Sequence, residues 1–73
     1  MELKDKIKRI RKKYNLSLEK FGNMIDVSDT AVLKWEQGLT EPKASNLKAL
    51  ANNFDVSIDE LLEIEPKLND ELK

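Results

Sequence analysis

The chain has 73 residues, 37% of them charged, with a formal net charge of −1 and neither histidine nor cysteine. That length supports one domain with one small core, and the missing residue types exclude disulfide staples, an ordinary zinc site and the usual His and Cys base and nucleophile pairs of enzymes. No stretch free of charge approaches the ~20 residues of a membrane span, and Met1-Glu2-Leu3-Lys4-Asp5-Lys6 lacks an apolar signal core, so a soluble, unprocessed protein of a reduced cytoplasm is expected.

The small net charge conceals a gradient. Residues 1–13 carry +5 and residues 55–73 carry −5. One end suits phosphates while the other faces water, although a charge run is equally compatible with a solvated helix face.

Leu3, Ile7, Ile10 and Tyr14 recur at helical spacing and predict a first amphipathic helix over roughly 2–13, with lysines and arginines on its other face. Asn15 breaks that pattern. Ser17 then caps a second helix, roughly 18–25, whose apolar positions are Leu18, Phe21 and Ile25. After Asp26-Val27, Ser28 caps a third helix over roughly 29–36, with Asp29 in the first turn where a carboxylate suits the helix dipole, and Gly38 ends it. Pro42 disfavours helical geometry at Glu41 and can itself open a fourth helix, roughly 43–53, with Leu47, Leu50, Ala51 and Phe54 on one face. Ser57-Ile58-Asp59-Glu60 reads as a capping box for a fifth helix over roughly 58–63, which Pro66 stops. No strand alternation of useful length occurs. The expectation is an all-α, compact five-helix domain over 1–65, followed by a polar tail or the start of a linker over 66–73.

Two short helices joined by a turn of three or four residues can form a helix-turn-helix, in which the second helix enters the DNA major groove. The spacing is weak evidence by itself, but the residue chemistry sharpens it. Gly22 lets the third helix approach the second closely, and Ile25, Val27, Val32 and Trp35 are apolar where the two must lock together. Asp29, Thr30, Leu33 and Lys34 are left pointing outward, as candidate base contacts. Lys34 suits guanine O6 or N7, Thr30 a base edge or thymine methyl, Leu33 a thymine methyl, and Asp29 cytosine N4. For Asp29, a dipole role without any base contact is an equal alternative.

The runs Leu16-Ser17-Leu18-Glu19-Lys20-Phe21-Gly22 and Val27-Ser28-Asp29-Thr30-Ala31-Val32-Leu33-Lys34-Trp35-Glu36-Gln37-Gly38 resemble the Cro/C1-type (XRE) helix-turn-helix family of phage and bacterial regulators. Pro42, Asn46-Leu47-Lys48-Ala49-Leu50-Ala51 and Val56-Ser57-Ile58-Asp59-Glu60-Leu61-Leu62 extend the likeness, so that about residues 3–63 are covered. The resemblance implies a lambda-repressor-like fold in a bacterial cytosol or nucleoid, acting as a homodimer on an inverted-repeat operator in double-stranded DNA. It implies no enzyme and no cofactor, and it favours a repressor over an activator.

Particular roles follow from the same resemblance. Arg11 and Glu36 match a pair that ties the first helix to the end of the third, a structural role. Ser17, Ser28, Gln37 and Thr40 match phosphate-contacting positions, and Lys20, Lys43 and the lysines of the first helix add charge. Three departures stand out. Leu18 occupies a position that is often a DNA-contacting glutamine, Asp26 one that is often glycine, and the loop Leu39-Thr40-Glu41 carries no positive charge. Few phosphate contacts predict a shallow salt dependence and a need for dimeric binding, with Leu61, Leu62, Ile64 or Leu68 as candidate dimer surface, although Leu61 reads first as a core position. The −5 end motivates a second reading, an antitoxin or switch component acting through a protein partner at its acidic C-terminal region.

Overall fold

In the computed structural model, which describes residues 2–62, five helices follow one another: α1 (Leu3–Lys13), α2 (Leu18–Met24), α3 (Asp29–Gln37), α4 (Ala44–Phe54) and α5 (Ile58–Leu62). No strand occurs among the described residues. Each helix begins where a short polar side chain can answer a backbone N–H that lacks an intrahelical partner. Ser17 Oγ accepts from the Lys20 amide and Ser28 Oγ from the Ala31 amide, both at 3.1 Å. Asn46 Oδ1 accepts from the Lys43 amide at 2.9 Å at the start of α4. The Ser57 capping box is reciprocal: Glu60 N–H donates to Ser57 Oγ at 3.0 Å and Ser57 N–H to Glu60 Oε1 at 3.2 Å.

Three helix ends share one closure. After α1, α2 and α3 a residue in the left-handed region, Asn15 (φ 57°), Asp26 (φ 62°) or Gly38 (φ 78°), reverses the chain. The amide of the next residue then bonds back to the last turn, Leu16 to Arg11 O at 3.1 Å, Val27 to Gly22 O at 2.9 Å and Leu39 to Lys34 O at 2.9 Å. This is the Schellman arrangement, with asparagine and aspartate tolerating a conformation that glycine adopts freely. Leu16 and Val27 fold in against the core, whereas Leu39 at the equivalent position is 68% exposed.

The buried side chains come from every helix: Ile7 and Ile10, Phe21, Val32 and Trp35, Leu47, Leu50 and Phe54, and Leu61, joined by Ile25 after α2. Phe21 stacks on Phe54 with ring centroids 4.9 Å apart. α3 packs against α2 and α1, and α5 against α1 and α4.

Helix positions agree with the sequence reading to within a residue or so at each end, except that the end expected for the fifth helix near residue 63 lies outside the described residues, and with local corrections. Tyr14 is not buried along the α1 stripe; it caps the helix with its ring tilted over Phe54 and its hydroxyl donating to Phe54 O at 3.1 Å. Pro42 does not open α4: Lys43 is the N-cap and Ala44 the first helical residue. Asp55 (φ 56°) is a left-handed residue that the sequence did not flag. The tail 66–73, with Ile64, lies outside the described residues.

Candidate nucleic-acid interface

The orientation of α3 is fixed from two sides. On the α2 side, a Cβ built at Gly22 would sit 2.5 Å from Val27 O and 3.2 Å from Ser28 O, both backbone atoms. Glycine is therefore needed because the turn itself, more than the body of α3, presses on α2. The turn is held by Val27 N–H to Gly22 O, and α3 is locked behind it by Val32, fully buried, and Trp35.

On the α1 side, the Arg11 guanidinium grips Glu36 in a bidentate pair, Nε to Oε2 at 2.7 Å and Nη2 to Oε1 at 3.0 Å. Its remaining nitrogen, Nη1, donates to Leu16 O at 3.0 Å. The two side chains are 16% and 5% exposed, which keeps solvent from competing for the pair. The hydrogen bond to Glu36 raises the Arg11 pKa above its ordinary value, partial burial opposes the rise, and the Coulomb attraction adds to it. The pair belonged to the sequence reading, but the Leu16 carbonyl did not. Its clue was Asn15, whose left-handed turn brings Leu16 back against the end of α1, where the Leu16 N–H also bonds Arg11 O.

With Val32 and Trp35 inward, the helical period brings Asp29, Thr30, Leu33, Lys34 and Gln37 on to one solvent-exposed face of α3. Ser28 stands at its N-terminal end. The other positions named from the sequence are also exposed but sit on neighbouring elements: Ser17 and Lys20 at the first turn of α2, Thr40 in the loop after α3, and Lys43 at the cap of α4. Ser17 and Ser28 spend one lone pair each on capping, and their hydroxyl protons remain able to donate. Leu33 at 40% exposure and Leu39 add apolar surface beside this face.

The lysines of α1 do not act together here. Lys6 Nζ donates to Glu60 O at 2.5 Å, on the α5 side. The Lys4 side chain lies over Gly38, where a Cβ would meet its Cδ at 3.1 Å. No helix among the described residues is long and apolar enough to cross a membrane.

An all-α domain in which a capped, glycine-dependent turn holds one exposed helix face clear of the core is a helix-turn-helix domain. The chain belongs to the Cro/C1-type helix-turn-helix family, whose helix-turn-helix model matches residues 7–61. It is 40% identical over 62 residues to the HTH-type transcriptional activator BcrR of Enterococcus faecalis, covering 85% of this chain and 30% of that protein. It is 38% identical over 58 residues to repressor protein C2 of Salmonella phage P22, covering 80% of this chain and 27% of that protein. AnsR of Bacillus subtilis is 33% identical over 58 residues, and this chain covers 50% of it. The chain thus spans half or less of the length of these relatives. Among solved structures, the P22 c2 repressor in complex with synthetic operator 9T superposes with a TM-score of 0.82 at 34% identity, covering 89% of this chain and 98% of that one. A transcriptional regulator from Listeria innocua superposes with a TM-score of 0.79 at 25% identity, covering 97% of this chain and 72% of that one.

Proposed function

We propose that this domain binds double-stranded DNA sequence-specifically and regulates transcription, as a homodimer with α3 of each copy in the major groove of an inverted-repeat operator. The observation that carries the reading is the α3 face itself: Asp29, Thr30, Leu33, Lys34 and Gln37 stand exposed while the capped turn and the Arg11–Glu36 pair fix the helix behind them. A helix held this way can present side chains to base edges without paying to order itself on binding. The operator complex of the P22 repressor, similar over nearly all of that chain, supports the same ligand.

Lys34 donates to guanine, Thr30 and Leu33 meet thymine methyl groups or base edges, and Asp29 either accepts from cytosine N4 or serves the helix dipole alone. Ser17, Lys20, Ser28, Gln37, Thr40 and Lys43 hold phosphates and set the register, without reading sequence. Leu18 gives an apolar contact at most. Two copies would set their recognition helices ~34 Å apart, one turn of DNA. Leu62, 43% exposed, is available to a dimer interface, whereas Leu61 at 2% is core, and Ile64 and Leu68 lie outside the described residues.

A repressor, acting by occluding a promoter, follows the likeness to the P22 protein, and the Enterococcus relative's name gives the opposite sign as the competing outcome. Selection of bound sites from random duplexes tests the reading. The chain should enrich an inverted repeat, and Lys34→Ala and Thr30→Ala should each relax preference at one or two positions by about 1–3 kcal/mol. Absence of enrichment at low salt, where phosphate binding is strongest, would refute it.

A further inference from the structure

Lys4, in the first turn of α1, lays its stem on the far end of α3. Its Cδ and Cε lie 3.1 and 3.8 Å from the place a Cβ would take on Gly38, so the ammonium, one bond beyond Cε, stands where α3 ends. Gly38 thus serves twice, as the left-handed residue that closes α3 and as the seat of a side chain from another helix. Lys4 is half-buried, and nothing among the described residues bonds or pairs with its Nζ. A lysine stem held against the backbone in this way keeps its charged head in water and has less freedom left to lose when that head meets a ligand.

The same corner holds a cleft of about 280 Å³ over Ile7 and Trp35, bordered by Lys4 and Thr40 together with the carboxylates of Glu2 and Glu41. The loop that leaves α3, Leu39-Thr40-Glu41, brings a negative charge and no positive one. A helix lying in the major groove has a phosphate backbone on either side, and the loop that leaves the helix passes close to one of them. A loop carrying a carboxylate alone repels that backbone. Lys4, distant in sequence but beside Thr40 in the fold, supplies the missing cation.

We propose that Lys4 is a phosphate-holding residue: with α3 in the groove, its ammonium and the Thr40 hydroxyl grip one backbone phosphate between them, so that α1 provides the charge that the loop after α3 lacks. The inference rests on the reading of α3 as the DNA-binding helix. It also divides the lysines of α1, since Lys13, whose Nζ lies 5.8 Å from the Tyr14 ring centroid, stands on the α5 flank and takes no part. A cation at the C-terminal end of a helix suits the helix dipole as well, and the test separates the two roles.

Anisotropy of a labelled duplex of random sequence, titrated with the full chain between about 50 and 200 mM salt, reads phosphate contacts as the slope of log affinity against log salt. Lys4→Gln should lower that slope by about 0.9 for each bound copy and weaken binding about eightfold per copy at 0.1 M salt, a loss that fades towards 1 M. Lys4→Arg should keep the wild-type slope, and so should Lys13→Gln. An unchanged slope in Lys4→Gln overturns the proposal, and a lower urea midpoint in that variant would then assign Lys4 to the α3 dipole. Equal drops in Lys4→Gln and Lys13→Gln overturn it too, because the charge would be acting at a distance without a contact. Both outcomes leave the reading of α3 intact, whereas failure of the wild type itself to bind the duplex at low salt removes that reading and this inference with it.

Discussion

Replacing Glu36 with alanine removes both acceptors of the Arg11 fork and leaves a guanidinium that is only 16% exposed with one remaining fixed partner, Leu16 O. A surface ion pair of this type is worth ~0–1 kcal/mol, but stripping one partner from a largely desolvated bidentate pair costs on the order of 3 kcal/mol, because the other charge stays behind unpaired. In a domain of this size that is a large part of a total of about 5–10 kcal/mol, and it lowers Tm by roughly 12–24 °C. Trp35, the only tryptophan, precedes Glu36 and is 5% exposed, so its fluorescence reports urea or thermal unfolding directly. The decisive measurement is a double-mutant cycle of Arg11→Ala and Glu36→Ala. We expect a coupling of about 2 kcal/mol, with the double variant less damaged than the sum of the singles. A coupling under ~0.5 kcal/mol would refute the reasoning, since the pair would then behave as a solvated surface bridge. Arg11 is a group whose pKa is raised in the folded state, so its contribution is complete at every pH below its unfolded value and is lost only as pH climbs through the higher folded one. Arg11 therefore puts no slope on stability near neutral pH, and a urea midpoint that fell between pH 6 and 9 in the wild type but not in Arg11→Ala would contradict this.

Gly22→Ala forces a Cβ to 2.5 Å from Val27 O, a backbone atom that cannot swing aside, and should destabilise by ~2–3 kcal/mol in a urea titration while weakening operator binding through the displaced α3. Asp26→Gly relieves a left-handed φ of 62° at the cost of greater freedom in the unfolded chain, so a gain of about 0.5 kcal/mol, or ~2–4 °C in Tm, is expected, whereas Asp26→Ala should lose stability. Tyr14→Phe keeps the tilted contact with Phe54 but drops the hydroxyl bond to its carbonyl; calorimetry should show a loss of ~1 kcal/mol. Ser57→Ala removes one half of the α5 capping box and should cost about 1 kcal/mol, read as earlier exchange of the Glu60 amide.

Much of this fold is legible in the sequence because its cues are local. Ser17, Ser28 and Ser57 mark helix starts by what their own oxygens can reach three residues on, and the period of Leu3, Ile7 and Ile10 or of Leu47, Leu50 and Phe54 declares a buried face without reference to what covers it. The exposed face of α3 follows from the same period once Val32 and Trp35 are assigned inward. Tyr14 misled because periodicity treats it as apolar, whereas its hydroxyl seeks a carbonyl and holds the ring at the surface. Asp55 escaped because aspartate is common in solvated turns and its left-handed backbone leaves no mark on composition.

The sequence by itself thus determined where the helices lie to within a residue or so over the described residues, which side of each is apolar, and that the chain resembles a family of DNA-binding domains. Other relations were decided by tertiary structure alone: Lys6 reaching the carbonyl of Glu60 across 54 residues, and, within five or six residues, the Leu16 carbonyl completing the Arg11 fork and the Gly22 contact falling on the turn backbone. The reason is physical. Capping and amphipathicity act over three or four residues and are written in adjacent letters, while the angle between helices depends on how all the buried side chains fill one volume together.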